Sequence, residues 1–271
     1  MGIFDGILLA SDLDGTLLNS SGEISQNNLD AIEFFKREGG LFAIVTGRMP
    51  YYAADIYRRA RSNALLCCMN GGAVYDTERA EYLWHSTISD NVIELIRFVD
   101  KNFSKVGISI NTYNAAYFCK ENPIMEFFRR VAPVPNLVCD YQAPPGPIAK
   151  IVFGVESEEE ISDLTRALSS HPLASEFTFL RSEKYLYEIL PRGCNKGVGL
   201  LKLAECSGIP INRTIAIGDY DNDIEMIKTA RVGIAVANAR DELKAVADRI
   251  TVSNDEHAIA KIIEDLRENI T

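Results

Sequence analysis

An α/β fold, with a doubly wound parallel sheet interrupted by an α+β insertion, follows from three features of the sequence. Short, wholly apolar runs alternate with amphipathic segments of helical period. Each run breaks off at a polar, glycine-bearing loop, and the pattern lapses near residue 83 and resumes near residue 191. Strands buried on both faces by helices read as continuous apolar runs, whereas a sheet with one wet face would alternate.

The first run, Ile7 to Ser11, ends in the cluster that begins at Asp12. Ser25 is suited to cap a helix through Glu38, with Leu29, Ile32 and Phe35 on one face and Gly39-Gly40 as its stop. Leu41 to Val45 is a second apolar strand and ends in Thr46-Gly47-Arg48. A helix from about Tyr51 to Arg61 leads to a third strand, Ala64 to Met69, which stops at Asn70-Gly71-Gly72. After Lys196 the pattern returns: a helix, a strand Thr214 to Ile217, the loop Gly218 to Asp223, a helix to Ala230, a strand Gly233 to Val236 and a closing helix. Residues 1–83 and 191–271 therefore predict a Rossmann-like core whose sheet draws on both ends of the chain. Ligands of such sheets bind at the carboxyl ends of the strands.

Residues 84–190 have a different texture. Val106 to Cys119 alternates like a hairpin, and a loop with Pro144, Pro145 and Pro147 precedes a strand from Lys150 to Val155. Helical segments run from Asp90 to Phe103, Pro123 to Val131 and Glu158 to Ser169, giving an inserted α+β domain.

Composition narrows the function. The chain has 271 residues, 47% of them hydrophobic, with 28 Lys and Arg against 38 Asp and Glu, a formal charge of -10. That charge opposes the counterion release on which nucleic-acid affinity depends, and it repels anionic membranes. No apolar run approaches the roughly 18 residues of a membrane span, and the amino terminus lacks a basic region before its apolar run, which predicts a cytoplasmic protein. The six cysteines form no C-x-x-C and read as reduced thiols. His85, His171 and His257 are too scattered for a zinc centre.

The chemistry concentrates at strand ends. Asp12 and Asp14 lie two residues apart just beyond a buried strand, where i and i+2 share a direction if the chain stays extended. Asp219, Asp221 and Asp223 follow another apolar strand of the same sheet. If those strands are neighbours, several carboxylate oxygens converge, an environment suited to Mg²⁺. A carboxylate beside such a cation can attack a phosphoryl group. Thr46-Gly47 offers a hydroxyl and a backbone N–H, and Lys196 a cation. Taken singly each of these also describes an ordinary capped turn or a solvated lysine.

Taken together and in order, Ser11-Asp12-Leu13-Asp14-Gly15-Thr16-Leu17-Leu18, Thr46-Gly47-Arg48, Asn70-Gly71-Gly72, Lys196 and Gly218-Asp219-Tyr220-Asp221-Asn222-Asp223 resemble the haloacid dehalogenase superfamily of phosphohydrolases, and more narrowly its Cof-like subfamily. The resemblance covers nearly the whole chain, because that subfamily also inserts an α/β cap between its second and third motifs. It implies a Mg²⁺-dependent phosphatase acting on small phosphorylated metabolites, sugar phosphates or a phosphorylated cofactor, through an aspartyl-phosphate. It implies Asp12 as nucleophile and Asp14 as general acid and then base. Mg²⁺ would be held by the Asp12 side chain, the Asp14 carbonyl and Asp219, with Asp223 behind them. The phosphate would be held by Thr46, Lys196 and Asn222 and by the backbone N–H groups of Leu13 and Gly47. Arg48 is either a substrate contact or a structural ion pair. In the cap, Tyr113, Tyr117, Phe118, Arg181, Lys184 and Tyr185 could line a cleft. A phosphomutase or phosphotransferase using the same intermediate, or a phosphate sensor without turnover, is the alternative. Neither nucleic acid nor membrane is an expected partner, and the chain could act as a monomer or homodimer.

Overall fold

Two units make up the computed structural model, which describes residues 2–131 and 137–270: Met1–His85 with Asn195–Thr271, and Ser86–Cys194.

The first unit opens with β1 (Leu8–Ser11), buried along its whole length. Helix α1 (Gln26–Arg37) begins where the Ser25 hydroxyl accepts the Asn28 N–H, buries Ile32 and Phe35, and ends with Lys36 and Arg37 in the last turn, where its carbonyls favour cations. β2 (Leu41–Ile44) follows, then α2 (Pro50–Arg59), started by a proline in its first turn, and β3 (Leu66–Cys68). The sequence predicts β3 as one more parallel strand. Its ladder instead runs antiparallel to β4 (Ala73–Asp76), which pairs with β5 (Glu81–His85), and it meets the parallel set through the bridge Val45↔Cys67. The cause is the Asn70-Gly71-Gly72 segment. Positive φ at Met69, Asn70 and Gly71 turns the chain back on itself. Helix α2 also ends at Arg59, short of the expected Arg61.

The second unit contains α3 (Val92–Asn102), β6 (Gly107–Thr112), β7 (Ala116–Lys120), α4 (Pro123–Val131), β8 (Ile148–Gly154), α5 (Glu158–Ser169), β9 (Phe177–Glu183) and β10 (Leu186–Pro191). Its sheet is antiparallel, in the order β7-β6-β8-β10-β9. One face packs Ile108, Ile110, Ile151, Phe153 and Ile189 against Val92, Leu95, Ile96 and Val99 of α3 and Ile161, Leu164 and Leu168 of α5. Full burial of each such side chain contributes about 1.5–3 kcal/mol. Strands β9 and β10 escape the sequence reading because Thr178, Arg181, Ser182 and Glu183 break up the apolar pattern of the first.

The chain re-enters the first unit with α6 (Lys196–Cys206), β11 (Thr214–Gly218), α7 (Ile224–Thr229), β12 (Val232–Ala235), α8 (Asp241–Lys244), β13 (Arg249–Ile250) and α9 (Ala258–Ile270). The parallel sheet has the order β13-β12-β11-β1-β2. From β1 the chain builds outward to β2 on one side and later to β11, β12 and β13 on the other. The strand order therefore reverses between β1 and β11, where a doubly wound sheet opens a crevice at its carboxyl edge. None of the six cysteines is in a disulfide, and no described helix is long and apolar enough to cross a membrane.

Candidate active site

Because β1 and β11 are paired in register, Asp12, directly after β1, and Asp219, directly after β11, emerge side by side. The Asp12 N–H donates to the Ile217 carbonyl at 3.0 Å, which carries the ladder into the first carboxylate of the site. Lys196 is the first residue of α6, set by the Asn195 cap whose side chain accepts the Val198 N–H at 2.9 Å. Its side chain is 1% exposed and donates to Asp12 Oδ1 at 2.6 Å and Asp223 Oδ1 at 2.5 Å. An ammonium taken out of water needs such partners. Burial works against its charge, but Asp12 and Asp223 outweigh that and hold Lys196 above the ordinary lysine range.

Ligand atoms of Asp12, Asp219 and Asp223 lie within 4.8 Å of one another. Burial pushes the Asp12 carboxyl well above the usual carboxylate range; Lys196 opposes this, while Asp223, Asp219 and Asp14 reinforce it. Asp219 is pushed up to about 7, by burial first and by Asp223 next, against the hydrogen bond from Thr16 and the charge of Lys196. Three carboxylates thus face one ammonium, and the formal surplus is two negative charges. A divalent cation would balance it, and an all-oxygen donor set suits Mg²⁺. The residues present fit that ion.

The surrounding loops fix these groups. Thr16 Oγ1 donates to Asp219 Oδ1 at 2.8 Å. Gly15 has φ +81°, and a Cβ there would stand 2.5 Å from Asp219 Oδ2, so only glycine admits that carboxylate. Asn238 Nδ2 donates to the Gly15 carbonyl at 2.8 Å, and the Arg240 N–H to the Asp219 carbonyl at 2.9 Å. Asp223 Oδ2 accepts the N–H groups of Asp219 and Tyr220 at 3.0 and 3.1 Å, so both of its oxygens are engaged within the loop and on Lys196. The sequence assigns no role to Thr16, Asn238 or Arg240: Thr16 stands inside the first motif, while Asn238 and Arg240 lie 15 and 17 positions beyond the last motif residue with no pattern of their own.

Two expected members stand apart. Asp221 does not join the carboxylate cluster: Arg240 Nη1 takes its Oδ2 at 3.0 Å, with the guanidinium 5.2 Å over the Tyr220 ring. The Asp14 side chain is half-exposed and clasped by the Arg48 fork, Nε to Oδ2 at 3.1 Å and Nη2 to Oδ1 at 2.6 Å. Arg48 is therefore an ion-pair partner in this structure, and its partner is the expected acid. Leu13 is buried, its carbonyl accepting the Thr16 and Leu18 N–H groups. Thr46, just past β2, donates its N–H to the Cys67 carbonyl at 2.9 Å, and its Oγ1 accepts the Arg48 N–H at 3.2 Å. Asn222 Nδ2 donates to Asn70 Oδ1 at 3.0 Å.

In the second unit, several expected cleft residues serve local structure. Arg181 forks onto Glu158 at 2.7 and 2.9 Å, Lys184 lies 5.0 Å over the Tyr185 ring, and Tyr113 donates to the Ser86 carbonyl at 2.6 Å. The sequence reading missed a buried polar set on the sheet: Ser109, Asn111, Lys150 and Glu188, the last two paired at 2.9 Å.

The family model for haloacid dehalogenase-like hydrolases matches residues 9–263. The chain belongs to that family. This hydrolase is 29% identical to the 5-amino-6-(5-phospho-D-ribitylamino)uracil phosphatase of Bacillus subtilis over 95% of its own length and 96% of the relative's. It is 30% identical to a putative phosphatase of the same organism, covering 96% and 97% of the two chains. A solved haloacid dehalogenase-like hydrolase from Bacteroides thetaiotaomicron superposes with a TM-score of 0.83 at 26% identity, over 96% of this chain and 99% of that one.

Proposed function

We propose that this hydrolase is a Mg²⁺-dependent phosphatase that cleaves small phosphate monoesters through an aspartyl-phosphate on Asp12. The observation that carries the reading is the buried Lys196 joined to Asp12 and Asp223 beside Asp219. A carboxylate fixed at a sheet edge, where three carboxylates share a single ammonium, is suited to phosphoryl chemistry and has little structural purpose.

In this reading Asp12 attacks phosphorus, the bond to the ester oxygen breaks, and Asp14 gives that oxygen its proton. Asp14 then takes a proton from the water that attacks the phosphoryl group, and release of phosphate restores Asp12. Arg48 has to let go of Asp14 before either transfer, since it occupies both carboxylate oxygens. Thr46, Lys196, Asn222 and the N–H groups of Leu13 and Gly47 hold the phosphoryl oxygens. Mg²⁺ held by the Asp12 side chain, the Asp14 carbonyl and Asp219 would offset their charge. Asp223 keeps Lys196 and its own loop in place. The unit 86–194 acts as the cap that selects the group beyond the phosphate. The substrate class is a small phosphorylated metabolite, a sugar phosphate or a phosphorylated cofactor, and the Bacillus relative's named activity on a phospho-D-ribitylamino compound supports a small phosphate ester.

The test is phosphate release from a panel of such esters, with and without Mg²⁺, comparing the wild-type chain with Asp12→Asn. Release that needs the metal and falls at least about a thousandfold in the variant is expected. Equal release by both proteins would overturn the reading.

A further inference from the structure

We infer that Asn70 is a positioning residue for the phosphate cradle, acting through Asn222 and Thr46-Gly47 without touching substrate; the inference rests on the phosphatase reading above. The Asn70-Gly71-Gly72 segment ends β3, and that role needs no buried amide.

The backbone here is unusual. Met69 and Asn70 have φ +55° and +53°, two consecutive non-glycine residues in the left-handed region, followed by Gly71 at +86°. Asn tolerates that region better than most residues, and Met does not. Such strain persists only where the surroundings over-determine it, and it collects at functional sites. Here it laces two strand-end loops together. The Met69 N–H donates to the Arg48 carbonyl and the Asn70 N–H to the Thr46 carbonyl, both at 3.0 Å, on either side of Gly47.

The side chain completes the arrangement. Asn70 is fully buried, and its amide fills the space beside Gly47, where a Cβ would stand 2.9 Å from both Oδ1 and Nδ2. Its Oδ1 accepts one N–H of the Asn222 amide at 3.0 Å, across 152 positions of sequence. An amide nitrogen carries two hydrogens, so the second remains to be aimed at a phosphate oxygen. One residue therefore ties together Thr46, through its backbone N–H, and Gly47 and Asn222, through its side chain, three of the expected phosphate contacts, which come from the ends of different strands. An apolar residue at position 70 would leave the Asn222 amide to rotate away.

Asn70→Gly separates the amide from the backbone, because glycine keeps the left-handed turn. The variant is expected to unfold near the wild-type temperature. Its affinity for inorganic phosphate in Mg²⁺, read as product inhibition, should fall on the order of tenfold, the worth of one buried hydrogen bond, with KM rising alongside. In the double variant with Asn222→Ala, phosphate affinity should fall by less than the product of the two single losses, since the part of the Asn70 effect that passes through Asn222 is already gone. Unchanged phosphate affinity in Asn70→Gly, or losses that multiply in the double variant, would overturn the inference. If the glycine variant does not fold, Asn70→Asp carries the test. It keeps the acceptor and the turn but sets a negative charge against the cradle, so phosphate should bind more than tenfold weaker, and unchanged binding would overturn the inference equally. A wild-type chain that neither releases nor binds phosphate sinks the phosphatase reading itself, and this inference with it.

Discussion

Lys196→Met exchanges a buried ammonium for an apolar chain of similar length and strands Asp12 and Asp223, whose oxygens it holds at 2.6 and 2.5 Å. Removing one partner of a buried ion pair costs about 3–5 kcal/mol, because the remaining charge stays out of water uncompensated. For a domain of this size each kcal/mol moves the unfolding midpoint by about 2–4 °C. At pH 8 without Mg²⁺ the variant should therefore melt on the order of 10 °C below the wild type. The pH dependence identifies the cause. Asp12 already sits well above the usual carboxylate range in the folded chain, and loss of the ammonium raises it further. A carboxyl group raised on folding binds a proton that the unfolded chain releases, so its penalty is absent below the unfolded pKa and grows as pH climbs toward the folded one. The gap between variant and wild type should narrow from pH 8 to pH 5. Calorimetry on both proteins at both pH values reads it directly. A variant that melts with the wild type at pH 8, or a gap that ignores pH, refutes Lys196 as the counter-charge.

Mg²⁺ at a hundred times its Kd should stabilise the chain by about 2.7 kcal/mol. Because a ligand carboxylate must be ionised and burial pushes Asp219 up to about 7, that affinity should weaken below neutrality, and a thermal shift with Mg²⁺ that is equal at pH 5.5 and pH 8 would count against this site. Gly15→Ala forces a Cβ to within 2.5 Å of Asp219 at φ +81°; a cost of about 1–3 kcal/mol and weaker Mg²⁺ binding are expected, measured by denaturant titration and calorimetry. In the second unit, Lys150→Met should cost about 3–5 kcal/mol by stranding Glu188, and Lys150→Met with Glu188→Leu should recover most of it; equal losses in the single and double variants would disprove that pairing.

The parallel sheet was legible because each of its longer strands is a continuous apolar run that ends in glycine or polar residues, and its first helix carries its own cap, Ser25. The motif residues were legible for the same reason: Asp12, Thr46 and Asp219 sit at strand ends. What failed depended on conformation or partners. The return of β3 into a hairpin hangs on positive φ at Met69 and Asn70, which residue type alone does not announce for a methionine. Strand β9 mixes Thr178, Arg181, Ser182 and Glu183 with its apolar residues, and β10 places Glu188 among a buried polar set with Ser109, Asn111 and Lys150, so neither period nor composition marks them. Asp221 looked equivalent to its neighbours until Arg240, nineteen positions on, drew it away.

The strand order also governs how the protein can be made. β1 lies between β2 and β11, and Leu8 pairs with Thr214, so a ribosome has delivered most of the polypeptide before the central strand gains its second neighbour. Until then one hydrogen-bonding edge of β1 stays open, and Asp12 waits for a lysine that has yet to be synthesised. Pairings so distant in sequence close slowly and expose sticky edges while they wait. The intervening unit, whose ladders all lie within Ser86–Cys194, has no such delay. A nascent chain halted after residue 194 should therefore hold an ordered second unit on an unfinished first one, a natural client for chaperones.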